Sequence, residues 1–198
     1  MIGRSPTMHQ LFFFSPCHYM QAGLTTIMKT TPVRVTAVTS PEAILSVPPP
    51  LGHRGVLVSV PAREPKVAAQ ASLFLWQLMN LQAAGHLPGV FCLLLSDLPD
   101  KKFSCLKESL SAASLRDRLL EAVARPGKHS LNGQRRCELS ALQKKILVAS
   151  LAGASVDEMA RMLNISKRGV FAGRSALMHK LGVKNRLGLM ALSDRDFQ

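Results

Sequence analysis

Residues 139–191 read LSALQKKILVASLAGASVDEMARMLNISKRGVFAGRSALMHKLGVKNRLGLMA. Four short helices can be read from this stretch, because a start or stop signal stands at almost every boundary. Ser140 with Gln143 and Ser155 with Glu158 are capping boxes, in which a hydroxyl and a side chain three residues on satisfy two orphan backbone donors. Gly153 stands where a helix should stop, just before the second box. Asn164-Ile165-Ser166 is a tight turn ending in an N-cap, Gly182 ends the helix that follows, and Asn185 caps the fourth. The apolar spacing agrees. Leu139, Leu142, Ile146 and Ala149 fall at helical intervals, then Val156, Met159, Ala160 and Leu163, then Val170, Leu177 and Leu181. A short turn leading into a helix with exposed basic residues is the layout of a helix-turn-helix reader of DNA.

The stretch resembles the C-terminal DNA-binding domain of the LuxR/NarL (FixJ) transcription regulators. The matching residues are Leu139-Ser140, Gly153, Ser155, Glu158-Met159-Ala160, Leu163, Ile165-Ser166, Val170, Lys180-Leu181-Gly182-Val183, Asn185-Arg186 and Leu189. Three places depart from the family pattern. Leu142-Gln143 replaces a usual Arg-Glu, Gly169 a usual Thr, and Gly173 a usual His or other large residue. Glycine within a helix costs roughly 1 kcal/mol relative to alanine. The two glycines therefore suggest close approach to another surface, or a helix fully ordered only on DNA.

The helix Lys167–Leu181 is expected to lie in the major groove. With Val170, Leu177 and Leu181 turned inward, Arg168, Phe171, Ala172 and Ser175 face outward and reach base edges. Phe171 suits a thymine methyl and cannot read a guanine. Lys167, Arg174, Lys180, Lys184 and Arg186 are expected on phosphates, where they give affinity and salt dependence. The resemblance implies that the fourth helix, Arg186–Leu192, forms a dimer contact through Leu187, Leu189 and Met190. The partners expected are double-stranded promoter DNA and a second copy or another LuxR-type regulator.

Composition supports a polyanion partner. The 198 residues carry a net charge of +13. Residues 128–198 hold 13 Lys and Arg against 5 Asp and Glu, so the excess is densest where the helix-turn-helix lies. Cys17, Cys92, Cys105 and Cys137 have no metal-like spacing and are expected to be reduced core thiols. No stretch approaches the ~20 apolar residues that span a bilayer, so a cytoplasmic protein without a membrane partner is expected. The six histidines form no nucleophile–base or H-E-x-x-H pattern, and Gly52-His-Arg-Gly55 is no phosphate loop. No catalytic residue, metal or cofactor is expected.

Ahead of the linker at 126–137, strand and helix signals alternate. Residues 1–9 read as a disordered leader. Strands are expected at Gln10–Ser15, Val33–Val38, Gly55–Val60, Val90–Leu95 and Phe103–Lys107. Helices are expected at Pro16–Met28, with Tyr19, Gly23, Leu24 and Ile27 on one side, at Glu42–Val47, at Lys66–Ala84, with Leu73, Trp76, Leu78 and Leu81 in the core, and at Ser114–Ala124. This order predicts a doubly wound parallel α/β layer over residues 10–125, followed by an all-α four-helix domain over 138–198.

The α/β half resembles a response-regulator receiver domain. Leu11–Leu24 is similar to its first strand and helix, Leu106-Lys107-Glu108 to the segment carrying its late lysine, and Ser96 to its switch residue. The resemblance implies an acidic pair after the first strand and a phosphate-accepting Asp after the third. Ser15-Pro16 and Ser59 occupy those places. A hard divalent cation needs anionic oxygens, and a serine cannot form an acyl phosphate. The half therefore reads as a degenerate receiver, with control passing through protein contacts. A narrower likeness, to auxiliary regulators of enteric bacteria, implies control of surface structures such as fimbriae. The other reading is an auxiliary protein that pairs with a LuxR-type regulator and reads little DNA itself.

Overall fold

The computed structural model describes residues 8–61, 64–100, 102–129 and 138–192. These form two compact units. One takes in the described residues up to 61 together with 81–129; the other takes in 64–80 and 138–192. Most of the expected linker, residues 130–137, lies outside the described residues.

The first unit is built on a parallel sheet of β1 (His9–Phe14), β2 (Val33–Ala37), β3 (Arg54–Ser59), β4 (Phe91–Leu95) and β5 (Ser104–Leu106), in the order β2-β1-β3-β4-β5. Strands β1, β3 and β4 are apolar almost throughout and are buried on both faces, as a covered parallel sheet requires. One face carries Leu11, Phe13, Leu57, Leu93 and Leu95. Against it pack Leu24 and Met28 of α1 (His18–Met28) and Leu119 and Val123 of α3 (Ala112–Ala124).

Several local expectations shift. β1 starts at His9, within the stretch read as a leader. The buried stripe of α1 runs through Met20, Leu24, Ile27 and Met28, whereas Tyr19 is 91% exposed and Gly23 also faces solvent. Tyr19 lies five residues before Leu24 and so about 140° around the helix from it. The segment after β2 forms only a 3₁₀ turn, Pro41–Ile44. Residues 96–103 join β4 to β5 with no helix among the described residues. Such crossovers usually take a dozen or more residues. Here β5 is three residues long, so the return path is short, and Asp100 Oδ1 turns it by accepting from the backbone N–H groups of Lys102 (2.7 Å) and Phe103 (3.0 Å). Of the expected core thiols, Cys92 is buried while Cys17 and Cys105 are half-buried; Cys137 lies outside the described residues.

The second unit holds α4 (Ala141–Leu151), α5 (Val156–Leu163), α6 (Lys167–Leu181) and α7 (Arg186–Met190), the four helices expected from their caps. It also holds most of α2 (Pro65–Ala83). Ala69 and Leu73 of α2 share one core with Leu139, Ile146, Leu147 and Leu177, and Trp76 packs against that core. The sequence pattern places this helix in the α/β layer of residues 10–125, whereas most of it packs with the four C-terminal helices, which its apolar side alone does not reveal. Among the described residues no helix is long and apolar enough to cross a membrane.

At the N-terminal edge of the sheet, His9 and His53 stack with ring centroids 5.4 Å apart. The backbone N–H of His53 donates to His9 Nδ1 at 2.9 Å, so that nitrogen must be unprotonated. His53 Nδ1 donates to the Val123 carbonyl at 2.8 Å and must carry a proton. Burial, and then the charge on His53, hold the His9 pKa below the ordinary imidazole value of 6.5. The folded state therefore resists protonation of His9. Its contribution to stability is complete above about pH 6.5 and is lost as the pH falls through the lower folded value. The melting temperature is expected to fall between pH 7.5 and pH 5.5, and to fall less in His9→Asn, whose side-chain oxygen still accepts. Equal falls in the two proteins, measured by circular dichroism, would contradict this.

Candidate nucleic-acid interface

Each of α4, α5, α6 and α7 starts on a side chain that satisfies its own first turn. Ser140 Oγ accepts from the Gln143 N–H (3.2 Å) while Gln143 Oε1 accepts from the Ser140 N–H (2.9 Å). Ser155 and Glu158 repeat the exchange at 3.2 and 2.7 Å. Ser166 Oγ accepts from the Gly169 N–H at 3.1 Å, and Asn185 Oδ1 from the Gly188 N–H at 2.8 Å. Caps of this kind contribute about 0.5–2 kcal/mol each. Asn164 ends α5 in the left-handed region (φ 51°), and the Ile165 N–H reaches back to the Ala160 carbonyl at 3.0 Å. Two residues therefore turn the chain from α5 into the Ser166 cap of α6. Gly182 (φ 71°) closes α6 in the same way, with the Val183 N–H on the Met178 carbonyl at 3.0 Å.

α6 is held down by Val170, which packs with Met159 and Ala149, and by Leu177 and Leu181 in the larger core. Its opposite side is open: Lys167, Arg168, Phe171, Ala172 and Ser175 are all exposed, with Phe171 at 57%. Lys167 Nζ lies 2.9 Å from Asp157 Oδ1 in an exposed ion pair of the kind that stabilises little and exchanges readily. Arg168 has no side-chain hydrogen bond or ion pair described and points to solvent. Lys184 and Arg186 are exposed at the start of α7.

Three expected residues stand elsewhere. Arg174 is 7% exposed; its Nε donates to Ser150 Oγ and its Nη2 to the Ala154 carbonyl, both at 3.3 Å. Burial, and then the positive Arg186, push its pKa below the usual guanidinium value. It ties α6 to α4 and to the turn after it, and is not offered to a phosphate. Lys180 is half-used: its Nζ donates to the Glu138 carbonyl (2.8 Å) and to Gln143 Oε1 (3.0 Å), bracing the first capping box. Leu189 is buried in the core, whereas Leu187 and Met190 are exposed on α7. Leu142, expected in the buried stripe of α4, is 41% exposed.

The receiver-like positions can be placed within the first unit. Ser15 and Ser59, at the ends of β1 and β3, are buried. Their hydroxyls donate to the same sulfur, Met20 Sδ, at 3.9 Å each. Ser96 is buried at the end of β4 and its Oγ accepts from the Leu98 N–H at 3.2 Å, while Lys107 is exposed. Asp97 Oδ1 accepts from the Glu108 N–H at 3.1 Å, serving the loop between β4 and β5. No group of three or more His, Cys, Asp or Glu residues suited to a metal occurs among the described residues.

Residues 138–193 match the family described as "Bacterial regulatory proteins, luxR family". They form a luxR-family helix-turn-helix domain. A helix-turn-helix of this layout is one that meets DNA in other regulators. No curated protein matches the chain. Solved structures of response regulators align with the chain at low TM-scores. The response regulator StyR is 16% identical with a TM-score of 0.40, over 92% of this chain and 96% of its own. Full-length FixJ from B. japonicum is 15% identical with a TM-score of 0.39, over 98% of each chain. RcsB from Salmonella enterica serovar Typhimurium, bound to promoter rprA, is 15% identical with a TM-score of 0.39, over 91% of this chain and 97% of its own.

The two glycines of α6 in this luxR-family domain have different causes. A Cβ on Gly173 would overlap the Cδ1 of Ile146, so that this fully buried side chain would have to turn its end away within a filled core. A Cβ on Gly169 would meet Ser166 Oγ at 3.4 Å and Ile165 at 3.6 Å, which is ordinary contact. Gly173→Ala is expected to destabilise the protein by about 1–3 kcal/mol through overpacking. Gly169→Ala is expected to be neutral or to stabilise by up to about 1 kcal/mol. Thermal melts of both full-length variants test this, and shifts of the same sign and size would count against it.

Proposed function

We propose that the protein is a cytoplasmic transcription regulator that binds promoter DNA through the exposed side of α6. The observation that carries this is the outward row of Arg168, Phe171, Ala172 and Ser175 on a helix fixed by its Ser166 cap and by Val170, Leu177 and Leu181. Arg168, and Phe171 against a thymine methyl, meet bases. Lys167, Lys184 and Arg186 hold phosphates, with a smaller share for Lys180. Leu187 and Met190 form the dimer contact from the outer side of α7. The partner copy is a second molecule or another luxR-type regulator.

We further propose that the α/β half acts without Asp phosphorylation. Support comes from Ser59 at the acceptor place, Ser15 where an acidic group would hold a cation, and the Met20 thioether between them. A thioether binds a hard cation poorly. Genes for surface structures such as fimbriae are the target class that the sequence resemblance implies.

A second reading, an auxiliary protein that pairs with another luxR-type regulator and reads little DNA itself, is favoured by one observation: the group at the centre of the exposed row is Phe171, which offers no hydrogen bond. Gel shifts against promoter fragments separate the two. Under the first reading Arg168→Ala weakens the shift by roughly 5- to 150-fold, equivalent to about 1–3 kcal/mol, with an unchanged melting temperature. Arg174→Ala should instead lower the melting temperature, since it removes two buried charge-assisted hydrogen bonds. An unaltered shift in folded Arg168→Ala favours the auxiliary reading. Acetyl phosphate with Mg²⁺ should neither label the protein nor change its DNA affinity, and acid-labile phosphate on the protein would overturn phosphorylation independence.

A further inference from the structure

An open groove of about 1140 Å³ runs between α4 and α5, with the turn at Gly153 and Ala154 closing one end. Its floor includes Ala149 and Leu163, and two large apolar side chains stand on its walls: Val148 on α4, 64% exposed, and Met162 on α5, 68% exposed. Two such side chains facing each other across one concave surface with a polar rim can seat the apolar face of a partner helix. No residue of α6 lines the groove. The side that would grip DNA and the groove are therefore separate surfaces.

The rim fixes the chemistry of an occupant. Lys144, Lys145 and Arg161 are all exposed and without a hydrogen bond or ion pair described. The one anion on the rim, Glu158, gives its carboxylate to the Ser155 N–H at 2.7 Å and lies within the field of Arg161, which leaves Lys144 and Lys145 as the cations without a neighbouring anion on the rim. Both walls are helices whose backbone groups are satisfied internally, so the groove offers no strand edge. An occupant must satisfy its own backbone, as a helix does. From Lys144 to Ala152 the wall runs about 12 Å, room for roughly two helical turns. A second copy of this chain suits the groove poorly, because each copy carries a net charge of +13. Nucleic acid suits it poorly too, since phosphates leave Val148 and Met162 uncovered.

We infer that the α4–α5 groove is the docking site for an acidic amphipathic helix of a partner protein, which sets apolar residues at i, i+3 or i+4, and i+7 on Val148 and Met162 and places carboxylates over Lys144, Lys145 and Arg161. That the groove stays open on DNA rests on the proposed α6 interface. Docking itself does not, and the two are tested separately.

The probe is a fluorescein-labelled peptide of Glu, Ala and Leu with leucines on one helical face, titrated with the full chain in the absence of DNA. The control has the same composition in an order that scatters the leucines. Fluorescence anisotropy is expected to show the amphipathic peptide binding roughly tenfold tighter than the control. Met162→Glu and Val148→Glu are expected to remove that difference while leaving the gel shift intact. Met162→Ala, which adds no charge to the fold, should reduce it. Equal binding of the two peptides, binding that survives in folded Met162→Glu, or displacement of the peptide by a short DNA duplex lacking any binding site would overturn the inference. Failure of the gel shift alone leaves the groove standing and sinks only the α6 reading.

Discussion

Ile146 occupies the space that a side chain on Gly173 would fill. A side chain there would need Ile146 to move, so α6 and α4 lie close at this point. With the helices this close, Val170, Leu177 and Leu181 reach their cores, and Arg174 falls within range of Ser150 and Ala154. The far side of α6 is thereby turned out along its N-terminal half. A bulkier residue at 173 would lift the helix and loosen both ends of this arrangement at once. A glycine that weakens an isolated helix is thus what leaves room for Ile146 where α6 and α4 meet.

The helix boundaries of the second unit were legible because they are local. A capping hydroxyl needs only the residue three positions on, and a left-handed stop needs only Gly or Asn, so Ser140, Ser155, Ser166, Gly153 and Gly182 announced themselves. What the chain did with Arg174 was not legible, because an arginine beside an exposed row has the same local pattern whether it turns out or in. Its fate depends on a hydroxyl 24 residues away. Leu189 and Leu187 differ for the same reason: two residues apart on a short helix, one meets the core and the other solvent. The place of α2 was read differently, as part of the α/β layer. Its apolar side is evident, but that Ala69 and Leu73 share a core with Leu147 and Leu177 depends on contacts far along the chain.

In the first unit the strands were plain from continuous apolar runs, while the connections were not. A single 3₁₀ turn replaces the helix expected after β2, and a helix-free loop joins β4 to β5. That Ser15 and Ser59 stand at the ends of their strands was visible in the sequence. That one thioether lies against both serines was not, since Met20 stands on α1 and its reach depends on how that helix packs.

The central claim is that the exposed half of α6 meets DNA while the α4–α5 groove remains apart. Amide and methyl NMR spectra of the full chain, recorded as a promoter duplex is added, test it most directly. The account predicts that the signals of Arg168, Phe171, Ala172 and Ser175 move together with those of Lys184 and Arg186, and that the methyls of Val148 and Met162 stay in place. Shifts confined to Val148, Met162 and their neighbours, with α6 silent, would contradict it.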